Sequence, residues 1–203
     1  MYDPFINGKP YTFAVSGKLY KSGLVMYDRQ TESLWSQILQ QAITGPMTGT
    51  KLTMIPAQDT TWNEWRNEHP DTLVLSPETG FKRDYGLNLY QAYYETGEPF
   101  EGPRERGHKL DPELRPMERV LGIQLSGVER AYPFSRLKKQ PGSFEDIVAG
   151  RRIVVHFDRR TETAYVTMLS GEQAPSLVTF WFAWADFYPD TQVFQSNPTP
   201  GSK

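Results

Sequence analysis

TTWNEWRNEHPDTLVLS, residues 60–76, returns near the end of the chain as TFWFAWADFYPDTQVFQ, residues 179–195. Trp, Trp, Pro, Asp, Thr and Val recur in the same order and spacing, at an offset of 181 − 62 = 119 positions. The first copy reads as a short helix over 61–69. Thr61 and Glu64 stand at capping-box spacing, Trp62 and Trp65 are three apart and share one face, and Pro70 ends the run. The second copy, WFAWADFY, is apolar nearly all round, and a helix without a polar face belongs in an interior or an interface. The expectation is that 181–188 packs between two parts of the molecule or against a partner chain, while 61–69 covers an outer face.

A second repeat lies outside the first. YDRQTESLW at 27–35 is answered by FDRRTETAY at 157–165, an offset of 158 − 28 = 130. Each reads as a hairpin whose Asp can bond the backbone of its own turn. The fold class that follows is α+β and strand-rich, with two related modules, each holding β-hairpins and a Trp-x-x-Trp helix. The first module is 1–94, a linker or long loop dense in Pro, Gly and charge occupies 95–116, and the second module is 117–203. KLTMIP (51–56) and LVLS (73–76) read as strands. VLGIQL and VERAYP flank a Ser-Gly turn and form a hairpin running into a short basic helix. Nothing comparable precedes the hairpin of the first module. The last residues, 196–203, read as a frayed tail.

Composition sets outer limits. A chain of 203 residues can bury roughly 70% of its unfolded surface, enough for one sizeable core or two small ones. With no cysteine, disulfides, thiolate catalysis and Cys-ligated zinc are excluded. A formal charge of −2 gives no long-range attraction to nucleic acid. No stretch approaches the ~20 apolar residues of a membrane span, and the first residues lack the pattern of a signal peptide. Basic residues crowd 130–160, which reads as a solvated basic face.

The chain resembles the prokaryotic domain-of-unknown-function family 3179. The resemblance is carried by SGKLYKSGLVMYDRQTESLWSQ, GPMTGTKL, the first Trp helix, RVLGIQLSGVERAYP and FWFAWADFYPDT. It implies no activity, because the family has none established. It implies an upstream segment like 120–137 followed by Tyr-Cys-Pro, where this chain starts MYDP with Asp3 in the cysteine's place. The first module is therefore expected to be shortened at its N-terminus. Relatives often look exported, and nothing in this chain shows such a signal.

Constellations that could carry chemistry are few. His69, His108 and His156 lack metal-ligand spacing, so no metal site and no cofactor is expected. Ser16 and Ser126 precede glycines outside any nucleophile elbow. The richest cluster is Tyr27, Asp28, Arg29, Gln30, Thr31, Trp35 and Gln37. Arg29 could clamp a polar ligand, Asp28 accept from it and Trp35 form a stacking floor. Recurrence of Asp-Arg-x-Thr-Glu favours the plainer reading, in which Asp and Thr bond their turn and the aromatics are core. The functional expectation is a non-catalytic binding or structural module, with any small polar ligand at the 27–37 hairpin. The alternative is a hydrolase-like enzyme using Asp28 or Asp158 as acid/base beside an arginine. Oligomerisation, if it occurs, is expected through 181–188.

Overall fold

A computed structural model of the chain describes residues 1–21, 23–57, 59–88, 90–97 and 114–196. The protein is an α+β, strand-rich molecule whose described residues build three four-stranded sheets. A small ribbon of β1 (Phe5–Ile6) and β2 (Lys9–Pro10) leads into the first sheet. That sheet is an antiparallel meander of β3 (Phe13–Tyr20), β4 (Gly23–Asp28), β5 (Leu34–Ser36) and β6 (Gln41–Thr44). Helices α1 (Trp62–Glu68) and α2 (Gln91–Thr96) follow.

The second half opens with β7 (Arg119–Leu125) and β8 (Val128–Pro133). They are joined through Ser126 at φ 50° and Gly127 at φ 80°, the left-handed pair that a two-residue hairpin turn demands. The short α3 (Phe134–Leu137) hands the chain to a second meander. It consists of β9 (Ser143–Val148), β10 (Arg151–Asp158), β11 (Thr163–Met168) and β12 (Gln173–Ala174). Finally β13 (Leu177–Phe180), α4 (Trp181–Phe187) and β14 (Gln192–Val193) return to the β7–β8 ribbon. The third sheet therefore runs β13-β7-β8-β14, with only the β14–β8 pair parallel.

Alternation decides the faces. Along β10, Ile153, Val155 and Phe157 are buried, while His156 and Asp158 point the other way. The inward set joins Leu121, Tyr132, Leu137 and Phe194 in the core of the second half. A separate core forms around α4, which brings Trp181, Trp184 and Phe187 against Val120 and Ala131 on one side and Ile38 on the other. Close approach there requires a glycine: a Cβ on Gly122 would lie 2.2 Å from the Trp184 ring. Toward the first sheet, Tyr188 donates its hydroxyl to the Ile38 carbonyl at 2.6 Å, and the Phe187 ring meets Tyr20 edge-on at 5.7 Å. Phe187 is buried and Phe182 half-buried, so α4 is enclosed by its own chain. Among the described residues no helix is long and apolar enough to cross a membrane.

Two expected strands are missing. In KLTMIP only isolated bridges form, Lys51 to Gln41 and Met54 to Tyr2: the backbone bonds residue 40 through Leu52 and then residues 1–3 through Thr53 and Ile55, and this change of partner lets neither pairing run on into a ladder. Leu73, Val74 and Leu75 lie outside any strand and face solvent. Most of the expected linker, His108 and the tail beyond residue 196 fall outside the described residues. The basic stretch is ion-paired as well as solvated: Arg130 to Asp146 at 2.9 Å, Lys138 to Glu162, and Arg152 to Glu145.

Candidate functional site

The β4–β5 hairpin closes around Asp28. Its Oδ1 accepts the Thr31 amide at 2.6 Å, and its Oδ2 accepts the Thr31 hydroxyl at 2.9 Å and the Trp35 indole N–H at 2.8 Å. The Thr31 hydroxyl also lies 2.7 Å from the Ser33 hydroxyl, which accepts the Met47 amide at 3.1 Å. Asp28 and Trp35 have no solvent exposure at all. Burial pushes the Asp28 carboxyl up, but the hydrogen bonds from Trp35, Thr31 and Gln30 outweigh it and hold the group below its ordinary range.

The sequence-nominated residues thus separate into two sets. Asp28, Thr31 and Trp35 converge on one another and leave no face for a ligand. Trp35 packs among Ile6, Ala42 and Leu52, with the Phe13 ring edge-on at 5.4 Å. Arg29 is exposed with its guanidinium 6.0 Å from the Tyr27 ring, and Gln30 turns back to accept the Thr12 amide at 3.0 Å. Gln37 lies elsewhere, lining an apolar cleft with Tyr2, Phe180 and Phe182. The Tyr2 hydroxyl donates to the Gln37 carbonyl, and burial pushes that phenol up to about 12.

The β10–β11 hairpin repeats the turn and differs above it. Asp158 Oδ1 accepts the amides of Arg160 at 2.7 Å and Thr161 at 3.2 Å, and the Thr161 and Thr163 hydroxyls meet at 3.0 Å. Glu32 and Glu162 occupy the same left-handed position, φ 57° and 53°. Register matches as well: Met26 pairs with Trp35, and His156 pairs with Tyr165 at positions 130 further on. In the first sheet that face is covered by Ile6 and Leu52. In the second it is open, forming the floor of a cleft of about 650 Å³.

The His156 and Tyr165 rings stack on this floor, centroids 4.4 Å apart and 10° from parallel. His156 Nε2 is 3.0 Å from the Thr167 hydroxyl. Ser143 and Thr163 add hydroxyls, and α1 supplies the opposite wall with Thr60, Glu64 and Glu68. Three contacts hold that wall in place. Arg160 pairs with Glu64, Arg119 pairs with Asp59 at 2.7 Å, and Gln173 donates to the Ala57 carbonyl at 3.3 Å. Arg159 donates to the Gln140 carbonyl. Burial lowers the affinity of His156 for a proton, and the amide N–H groups of Arg160 and Thr161 hold Asp158 below the usual carboxylate range. Among the described residues no group of three His, Asp or Glu side chains gathers where a metal ion could sit.

Helix α1 itself is built as the sequence predicts. Thr61 accepts the Glu64 amide at 3.3 Å, and the Glu64 carboxylate takes the hydroxyls of Thr60 and Thr61, each at 3.2 Å. Its face toward the cleft carries Glu64 and Glu68, where α4 carries Ala183 and Phe187 at the matching positions of its sequence; α1 lines the cleft and α4 fills a core. Sequence reasoning weighed His156 as a metal ligand and Asp158 as an acid or base, and did not group them with Tyr165, Ser143 and the glutamates opposite. The available signal was the first hairpin's apolar Met26 and Trp35 becoming polar-edged His156 and Tyr165.

Comparison with curated proteins and with solved structures finds no match. A family model does match, over residues 1–172, and its description is a protein of unknown function, DUF3179. The match takes in both Asp hairpins, α1 and the whole cleft floor. The chain belongs to the DUF3179 family.

Proposed function

We propose that the protein is a non-catalytic binding module that takes a small, uncharged, polyhydroxylated ligand in the cleft between α1 and the β10–β11 ribbon. The observation that carries this reading is the contrast between equivalent sheet faces. Trp35 is fully enclosed and Met26 half-buried against Ile6 and Leu52, whereas the half-buried His156 and Tyr165 line an open cleft under a wall of carboxylates. A volume of about 650 Å³ falls among those of small-molecule pockets. The stacked rings offer a flat apolar floor, and the rim offers acceptors on Glu64 and Glu68 with hydroxyls on Ser143 and Thr163 that act either way. The arginines are already engaged, Arg160 with Glu64 and Arg159 with the Gln140 carbonyl, which disfavours an anionic ligand. The closed Asp28 hairpin is then the structural partner of the open one, and the two modules are the products of one duplicated unit.

An acid–base enzyme would need two titratable groups pushed apart, one held protonated near neutrality. His156 and Asp158 both shift downward, so neither supplies that acid. Titrating isotope-labelled protein with neutral mono- and disaccharides, and with acetate, phosphate and lysine as charged comparisons, tests the proposal by NMR. Ring resonances of His156 and Tyr165 should move with the sugars, and those of His156 should stay still in Tyr165→Ala. Shifts confined to the charged panel, or lying away from the cleft, reject it.

A further inference from the structure

The tryptophan face of α1 is a second, independent feature, turned away from the cleft. α1 and α4 end in the same backbone geometry, with His69 and Tyr188 both at φ −129° and ψ 70°. Both are locked by the same side-chain bond, from Trp65 to Thr72 and from Trp184 to Thr191, at 3.0 Å in each case. The helix and the segment after it therefore form one preformed unit, present twice. Their surroundings differ. In the second copy Trp181 and Trp184 rest on Val120, Gly122 and Ala131 of the β7–β8 ribbon. The following residues pair with β8, the Phe194 amide donating to the Ala131 carbonyl at 2.9 Å, and the Phe194 ring is buried. In the first copy Trp62 and Trp65 are 49% and 38% exposed. Leu73, Val74 and Leu75, which stand where Gln192, Val193 and Phe194 stand in the repeat, are 96%, 67% and 97% exposed.

Five apolar residues with the arrangement of a ribbon-bound unit, and no ribbon against them among the described residues, define the missing shape. We infer that the face formed by Trp62, Trp65 and Leu73–Leu75 is a docking site for a two-stranded antiparallel β-ribbon of the β7–β8 type. The ribbon carries a glycine where its strand crosses the Trp65 indole, because a Cβ at the equivalent Gly122 would meet Trp184 at 2.2 Å. Its outer strand adds the residues around Leu75 in parallel, as β8 adds β14.

The test supplies such a ribbon. A copy of the 119–133 sequence is fused ahead of Met1 through a short Gly/Ser linker. Phe13 lies 13 − 1 = 12 positions after Met1, close to the 143 − 133 = 10 positions between Pro133 and Ser143, so the reach is comparable. Acrylamide quenching and hydrogen exchange are then read on the unfused and fused proteins. In the fused protein the two quenchable tryptophans of the five become shielded, and amides across 62–75 gain protection. Placing Val at the Gly122 position of the fused copy alone should reduce occupancy about tenfold or more by overpacking. Trp65→Ala in the fused protein should abolish the protection. Unchanged quenching with a folded fused ribbon, or shielding indifferent to that valine, overturns the inference. So does shielding in the unfused protein that tracks dimer formation, since a second copy would then be the occupant. Circular dichroism and the protection of 119–133 establish that the fused ribbon is folded; if it is not, the same ribbon closed by an engineered cross-strand disulfide replaces it.

Discussion

Replacing Asp28 by Asn tests how much a buried carboxylate contributes to one hairpin. Three donors converge on its two oxygens: the Thr31 amide, the Thr31 hydroxyl and the Trp35 indole. An amide offers one acceptor oxygen and turns an NH₂ toward the remaining donor. The Thr31 hydroxyl can rotate toward Ser33, so one N–H of the protein is left facing an N–H of the new side chain. Hydrogen bonds to a charged group are worth about 1.5–3 kcal/mol, and an unsatisfied buried donor costs about 1–3 kcal/mol. The expected loss is about 2–4 kcal/mol, or roughly 4–16 °C in Tm for a chain of this size. The pH dependence has a definite sign. The folded pKa of Asp28 is depressed, so its stabilisation is complete above the unfolded value of about 3.9 and is lost as pH falls through the folded value. Thermal melts of wild type and Asp28→Asn should therefore run parallel from pH 7 to 5 and converge only in strong acid. Asp158→Asn, with the same turn but an exposed carboxylate, should lose much less. A Tm change in Asp28→Asn no larger than that in Asp158→Asn would refute the argument that enclosure, rather than turn geometry, gives Asp28 its weight.

Further outcomes follow from the packing and from His156. Gly122→Val should destabilise by about 1–3 kcal/mol or more through its clash with Trp184, while Gly142→Ala, whose Cβ has ordinary contacts, should be neutral in the same denaturant titration. His156 should titrate below the ordinary value of about 6.5 by NMR. Because its folded pKa is depressed, wild-type stability should decline as pH falls from about 6.5 through the folded value, and His156→Gln should flatten that decline. Thr61→Ala removes the cap of α1 and should lower protection of the 62–68 amides by an amount equivalent to about 0.5–2 kcal/mol.

Local chemistry made the turns and helices readable. Asp-x-x-Thr-Glu announces a side chain bonding its own turn, and both copies do so; Leu-Ser-Gly-Val announces a two-residue hairpin, and Ser126 and Gly127 supply its left-handed pair. Trp-x-x-Trp at helical spacing gave both helices, and the loss of polar letters gave the burial of α4. What could not be read was which sheet face another segment covers. Met26 and Trp35 are enclosed by Ile6 and Leu52, and His156 and Tyr165 face α1 across water, yet nothing within either hairpin encodes that distant choice. For the same reason LVLS looked like a strand: its letters suit a ladder, and a ladder needs a neighbour. The ligand expectation fell on the hairpin whose aromatic residue turns inward, because Trp is a stronger stacking signal than Tyr when exposure is unknown.

Enclosure of α4 by two sheets has a consequence for how the molecule is made. Synthesis proceeds from the N-terminus, so the first meander emerges long before residues 181–188. Until they arrive, Gly23 has no Phe187 ring against it, the Ile38 carbonyl has no Tyr188 hydroxyl, and the apolar surface around them stays open to nascent-chain neighbours. A helix made late thus completes a sheet made early, and a chain stopped short of Trp181 would present that unfinished surface to chaperones and proteases.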